Sequence, residues 1–171
     1  MLPLALTYGR LAAPILICPL IFVEGAWAPW FAALLFTLAA ISDSLDGWAA
    51  RRFGSESRWG RILDPIADKV LVLLTLLALT AADRLEGLAL CLVFGIFARE
   101  LMMSALREGE DQGADLSVST LSKLKTFFTY VAIGLLILGG VVQGLGTFLL
   151  AVALTLGLVT LIRAAQKVLH S

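Results

Sequence analysis

Polar residues in this chain come in short bursts between long apolar runs. Runs rich in Leu, Ala, Val, Ile and Phe recur at 11–23, 30–48, 62–82, 87–106, 121–142 and 145–162. Each approaches the ~20 residues that a helix needs to cross a bilayer. The pattern predicts an all-α polytopic membrane protein with six transmembrane helices, in a single domain over 1–171. Glu24-Gly25 and Gln143-Gly144 mark short turns on one side. The first run, with Arg10 before it and Ala26-Trp27-Ala28 after it, also has the outline of a signal peptide. Pro29 directly after that small-residue site opposes cleavage, so the run is read as the first helix.

Composition agrees, with 60% hydrophobic residues and a mean hydropathy of +0.94, well above a soluble domain of this size. Thirteen basic residues balance thirteen acidic ones, so net charge says little, and no nucleic-acid partner is expected. The distribution of charge says more. With six spans, Arg51, Arg52, Arg58 and Arg61 fall between the second and third, and Arg107, Lys123 and Lys125 between the fourth and fifth. Arg163 and Lys167 follow the last span and Arg10 opens the first, whereas the other side offers only Arg84. By the positive-inside rule the termini and the charged loops face the cytoplasm. Cys18 and Cys91 are far apart, without metal-type spacing, and read as small core hydrophobes.

Four aspartates interrupt the apolar pattern. Asp43 and Asp46 are three residues apart and share one helical face, continued by Gly47 and Ala50. Gly60, Asp64 and Asp68 are spaced by four and four, again on one face. Arg52 to Trp59 between them is polar and long enough to turn, so two antiparallel helices present two carboxylates each to a shared cleft. An ionised Asp within a membrane helix costs roughly 2.5–3.5 kcal/mol, and converging like charges add repulsion. Arg51 and Lys69 neutralise only part of that charge. Hard divalent cations, Mg²⁺ or Mn²⁺, suit an all-oxygen site, and two of them on shared carboxylates suit phosphoryl chemistry. Surface ion pairs with the nearby arginines are the plainer reading for any single Asp. Gly47 and Gly60 serve either helix packing or the close approach of a flat ligand.

Residues 43–68 fit, without a gap, the signature D-x2-D-G-x2-A-R-x8-G-x3-D-x3-D, filled by Asp43, Asp46, Gly47, Ala50, Arg51, Gly60, Asp64 and Asp68. This resembles the CDP-alcohol phosphatidyltransferase family. The resemblance implies six transmembrane helices, a homodimer, and transfer of a phosphatidyl or similar group from a CDP-linked donor to an alcohol. It implies that Asp43, Asp46, Asp64 and Asp68 hold two Mg²⁺ or Mn²⁺ ions and that Asp68 is the general base. It also implies that Gly47, Ala50 and Gly60 floor the cytidine site, with Arg51 on the diphosphate.

Outside the signature, "LTYGR" (Leu6 to Arg10), "LDPIADK" (Leu63 to Lys69), "ARELMMSALRE" (Ala98 to Glu108) and "SKLKT" (Ser122 to Thr126) resemble motifs of phosphatidylglycerophosphate synthases within that family. The implied donor is CDP-diacylglycerol and the implied acceptor sn-glycerol 3-phosphate, in a bacterial inner membrane with the site facing the cytoplasm. Candidates to hold the acceptor phosphate are Arg99, Arg107, Lys123 and Lys125. Arg99 lies inside an apolar run, where an unpaired guanidinium is costly, and an ion pair with Glu100 or with a metal-site aspartate is its alternative. For the other three the alternative is loop charge. "EGEDQGAD" (Glu108 to Asp115) departs from the more basic or apolar loop expected there.

Two rival functions stay open on these residues: a cardiolipin synthase of the same family, with phosphatidylglycerol as acceptor, and a membrane cation transporter. A transporter predicts acidic residues spread through the membrane depth, whereas these cluster beside small residues and arginines. Trp27 and Trp30 read as interfacial aromatics, Met102 and Met103 as helix packing, and His170 as a terminal residue without a role.

Overall fold

The computed structural model describes the backbone of residues 2–53, 58–108 and 120–169, and the side chains of 7–42, 63–106 and 120–168. Helix dominates throughout, with no strand among the described residues. In chain order the helices are α1 (Leu2–Phe22), α2 (Ala28–Phe53), α3 (Arg58–Ala81), α4 (Leu88–Glu108), α5 (Thr120–Leu138) and α6 (Gln143–Leu169). Asp43 and Asp46 thus lie on α2, and Asp64 and Asp68 on α3, as their spacing requires. Both helices run further toward each other than the apolar runs suggested.

α4, α5 and α6 are apolar over span length: Leu88–Leu106, Thr120–Leu138 and Gly140–Val168 each suffice by length and hydropathy, although Arg99 and Glu100 fall within the first. The apolar parts of α1 and α2 are shorter, Thr7–Phe22 and Ala28–Ser42. Five charged residues, Arg58, Arg61, Asp64, Asp68 and Lys69, fall in the first half of α3. The two helices that carry the aspartates are among those that lose apolar length. Large side chains face outward around the bundle, among them Ile15, Trp30, Leu38, Leu77, Phe94 and Phe148. A water-soluble domain rarely exposes so much contiguous apolar surface, and a lipid-facing one requires it.

The helices close on an apolar centre formed by Ile17, Phe36, Leu71, Leu76, Ile133 and Leu150, from α1, α2, α3, α5 and α6. α1 lies against both α2 and α3, α5 joins α2 to α6, and α4 packs on α6. Small residues set the closest approaches. A Cβ built on Gly95 would stand 2.7 Å from a Leu154 methyl, and one on Gly146 would stand 3.1 Å from the Ala132 carbonyl oxygen. Without a hydrophobic drive between helices in lipid, such close packing holds them together.

Several details depart from the pattern-based expectations. α5 stops at Leu138, because Gly139 and Gly140 both take positive φ (67° and 58°) and turn the chain there. The turn therefore precedes Gln143-Gly144, and Gln143 opens α6. Cys18 and Cys91 are both free, but Cys91 is exposed on α4 and is no core residue. Met103 packs with Leu161 and Ala164, whereas Met102 is exposed. Trp27 and Trp30 are exposed, as a lipid-facing position requires. His170 lies outside the described residues.

Arg84 explains its own isolation on the far side. Its Nη2 donates to the Ile21 carbonyl at 2.9 Å and its Nη1 to the Ile137 carbonyl at 3.2 Å, while Gln143 Nε2 donates to the Arg84 carbonyl at 2.6 Å. The guanidinium thus caps the C-terminal ends of α1 and α5, where carbonyls lack helical donors and the helix dipole favours a cation. Arg84→Ala should lower unfolding stability in detergent by roughly 1.5–3 kcal/mol. Lys at this position should restore only part, because one ammonium cannot span both carbonyls as the fork does. An unchanged melting midpoint for Arg84→Ala would show that water replaces the clamp.

Candidate active site

Successive helices alternate in direction, so the N-terminal ends of α1, α3 and α5 meet the C-terminal ends of α2, α4 and α6. The polar side chains gather at that end. Asp64 and Asp68, one turn apart on α3 and both half-buried, each receive a hydroxyl from a different helix. Thr7 Oγ1 on α1 donates to Asp64 Oδ1 at 2.7 Å. The Tyr130 hydroxyl on α5 donates to Asp68 Oδ1. Paired carboxylates on one helical face, each with one oxygen engaged by a neutral donor, form a donor set suited to a hard divalent cation.

The remaining partners in the signature fall elsewhere. The side chains of Asp43, Asp46, Ala50 and Arg51, the surroundings of Gly47 and Gly60, and the Arg107 side chain lie outside the described residues. Among the described residues no three His, Cys, Asp or Glu come together. The position of α2 is nonetheless fixed nearby. Arg10 on α1 is buried and its Nη2 reaches Ser42 Oγ at 3.5 Å, and Ser42 immediately precedes Asp43. Arg10 is therefore part of this polar end and does not serve as a solvated flanking charge.

Beside Asp68 runs a crevice lined by Lys69, Glu100, Lys125, Thr126, Thr129 and Tyr130 among others, with room of about 20 Å³. That is space for one water or one ion and excludes a larger group without rearrangement. Glu100 Oε1 accepts from Lys125 Nζ at 2.8 Å and from Arg99 Nη1 at 2.7 Å. Arg99 Nε also donates to the Gly157 carbonyl at 3.2 Å, and Nη2 to Thr160 Oγ1 at 2.8 Å. Lys69 Nζ meets Ser104 Oγ, whose hydroxyl donates to the Glu100 carbonyl at 2.7 Å.

Of the four acceptor-site candidates, then, the structure joins Arg99 and Lys125 through Glu100. The Glu100 alternative weighed for Arg99 is the contact observed. Lys123 is exposed on the first turns of α5, away from this cluster.

Sequence reading passed over Glu100, Thr7 and Tyr130 as site residues. Glu100 carried a signal, since a carboxylate inside an apolar run needs a partner. Thr7 lay in a quoted motif. Nothing in "KTFFTYVAIG" (Lys125 to Gly134) separates Tyr130 from its aromatic neighbours except its hydroxyl.

On one side of Tyr130 the polar crevice gives way to an apolar groove of about 470 Å³ between α2 and α5, lined by Ala33, Phe36, Thr37, Val131, Gly134 and Leu138 among others. The Tyr130 ring stands edge-on to Phe36, with centroids 6.0 Å apart and planes at 77°. One side chain thus borders both compartments.

Glu100→Ala should be strongly destabilising, by about 3 kcal/mol, because it leaves two cations facing each other with little water. Lys125→Met added to it should recover part of that loss. Additive losses in this double-mutant cycle, measured by unfolding in detergent, would mean that Glu100 and Lys125 do not interact.

Comparison with known proteins identifies the family. Residues 1–161 match the family described as CDP-alcohol phosphatidyltransferase. Relatives named CDP-diacylglycerol--glycerol-3-phosphate 3-phosphatidyltransferase include one from Cereibacter sphaeroides, 41% identical over 81% of this chain and 63% of its own length. Those from Rickettsia bellii and Salmonella choleraesuis are 39% and 35% identical, over 81% and 91% of this chain and 75% and 88% of their own lengths. The chain thus spans less than two thirds of the first of these relatives and more of the other two.

Proposed function

The chain belongs to the CDP-alcohol phosphatidyltransferase family, and on that premise we propose that it transfers a phosphatidyl group from CDP-diacylglycerol to sn-glycerol 3-phosphate. The products are phosphatidylglycerophosphate and CMP, in keeping with the names of the relatives. The observation that carries the reading is the pairing of Asp64 and Asp68 on one face of α3, beside a crevice whose cations are Lys69 and Lys125.

In this reading Asp43, Asp46, Asp64 and Asp68 hold Mg²⁺ or Mn²⁺. The bound metal supplies charge neutralisation for the diphosphate and for departing CMP. Gly47, Ala50 and Gly60 give the cytidine a side-chain-poor floor, and Arg51 contacts the diphosphate. Asp68 takes the proton from the acceptor hydroxyl as its oxygen bonds to the phosphatidyl phosphorus. The bond from that phosphorus to the CMP oxygen breaks, and CMP carries the electron pair away. Lys125 is the foremost cation for the acceptor phosphate, since it borders the crevice. Arg99 stands behind it through Glu100, with Arg107 and Lys123 further candidates. Six spans, cytoplasmic termini, a cytoplasm-facing site in a bacterial inner membrane and a homodimer belong to the same proposal. The spans, the termini and the side the site faces rest on the apolar runs and the placement of Lys and Arg, and the bacterial inner membrane and the homodimer on family resemblance.

The test is CMP release by purified protein with CDP-diacylglycerol, Mg²⁺ or Mn²⁺ and a panel of alcohols. Release with phosphatidylglycerol alone would replace this reading with a cardiolipin synthase. Asp43→Asn, Asp46→Asn and Asp64→Asn should each abolish transfer, yet leave metal-free stability equal to or above wild type, because each relieves repulsion. Near-normal turnover at saturating metal would refute the ligand role of that residue. Asp68→Asn should keep donor binding while losing roughly 10²–10⁴-fold in turnover. Outright loss of CDP binding would make Asp68 chiefly a ligand. Lys125→Met should raise the acceptor KM with little effect on the donor.

A further inference from the structure

We propose that Tyr130 is a positioning residue for the reaction, acting through Asp68; the inference rests on the function proposed above. Its hydroxyl, reaching across from α5, donates to Asp68 Oδ1 on α3. A carboxylate turns about a single soft bond, and a donor on one oxygen fixes where the other oxygen lies. Asp64, one turn earlier, receives the same treatment from Thr7 at 2.7 Å. Each α3 carboxylate therefore takes its orientation from a hydroxyl on a different neighbouring helix.

The tyrosine is itself well held. Its ring packs edge-on against Phe36 from α2, with centroids 6.0 Å apart. On one side it walls the crevice that contains Asp68, Lys69, Glu100 and Lys125. On the other it walls the apolar groove between α2 and α5. An aromatic body in the apolar compartment with its polar tip in the crevice has little freedom to swing, so the hydroxyl has one place to point. Phenylalanine would fill the same space and keep the Phe36 contact, yet lose the hydrogen bond. Phe127, three residues earlier on α5, is exposed and reaches no carboxylate.

A hydrogen-bonding partner behind a metal-binding or reacting carboxylate typically contributes 10–100-fold in metal affinity or activity. Tyr130→Phe should therefore bind Mn²⁺ about tenfold more weakly, and should turn over at least about tenfold more slowly at saturating Mn²⁺, with donor KM close to wild type and only a modest fall in melting temperature. The deciding experiment is a double-mutant cycle with Asp68→Asn, read on Mn²⁺ affinity by electron paramagnetic resonance titration. If Tyr130 acts through Asp68, Tyr130→Phe should cost little further affinity in the Asp68→Asn background. Equal losses in both backgrounds would overturn the inference, as would a Tyr130→Phe enzyme with wild-type Mn²⁺ affinity and turnover. A wild-type protein that releases no CMP with any alcohol overturns the proposed function. In that case the affinity cycle still decides whether Tyr130 positions Asp68.

Discussion

A charge placed among apolar helices has to be answered by a group on another helix, and this requirement organises one whole end of the bundle. Asp64 is answered from α1 by Thr7 and Asp68 from α5 by Tyr130. Lys69 on α3 finds Ser104 on α4, Lys125 on α5 finds Glu100 on α4, and Arg99 on α4 finds Gly157 and Thr160 on α6. Arg10 reaches from α1 to Ser42 on α2. All six helices are tied by these contacts at a common depth. Apolar packing alone would let a helix slide by a turn at small cost, since one row of Leu and Ala resembles the next. Hydrogen bonds to charged groups, worth roughly 1.5–3 kcal/mol each, do not tolerate such a slip. The groups proposed for chemistry are thus also the groups that set the register.

The opposite end is held by different means. There Arg84 binds the carbonyl ends of α1 and α5, and glycines with positive φ turn the chain from α5 into α6. Between the two ends the centre is apolar, and glycines such as Gly95 and Gly146 allow the closest helix approaches. The division of labour follows from chemistry. Backbone ends need caps wherever helices stop, while ionised side chains need partners wherever they fall.

The helical content, the positions of most helices and the shared face of Asp64 and Asp68 were legible because period and spacing are properties of one segment. What a given face meets is a property of two segments, and the sequence is mute there. Tyr130 and Asp68 are 62 residues apart, and Thr7 and Asp64 57, with nothing local to link them. Arg10 looked like a flanking charge because it stands where the first apolar run begins, although it is buried and reaches Ser42 on α2. Cys91 and Met102 looked like core because they sit in apolar runs, but in lipid the outer face is apolar too, so hydrophobicity no longer distinguishes inside from outside. The early stop of α5 was written in Gly139-Gly140, outvoted by the apolar Val141 and Val142 that follow.

Arg99 shows why a buried cation need not be the one that meets a ligand. Its Nε lies 3.2 Å from where a Cβ on Gly157 would stand, so the absent side chain there is what admits the guanidinium to the α6 backbone. The same glycine's carbonyl and the Thr160 hydroxyl then hold it from behind, and Glu100 holds it in front. To reach a ligand it would have to abandon partners in a region with little water to replace them, at a cost of about 1–3 kcal/mol for each polar group left unsatisfied. Lys125 has fewer ties, its ammonium meeting Glu100 among the described residues. Its flexible stem carries an ammonium with three donors, of which the contact to Glu100 uses one. In the function proposed above, a phosphate that enters as the crevice widens recruits Lys125 by a small rotation, while Arg99 stays fixed and keeps Glu100 in place. The sequence favoured Arg99 of the two, and the surroundings of each favour Lys125 instead.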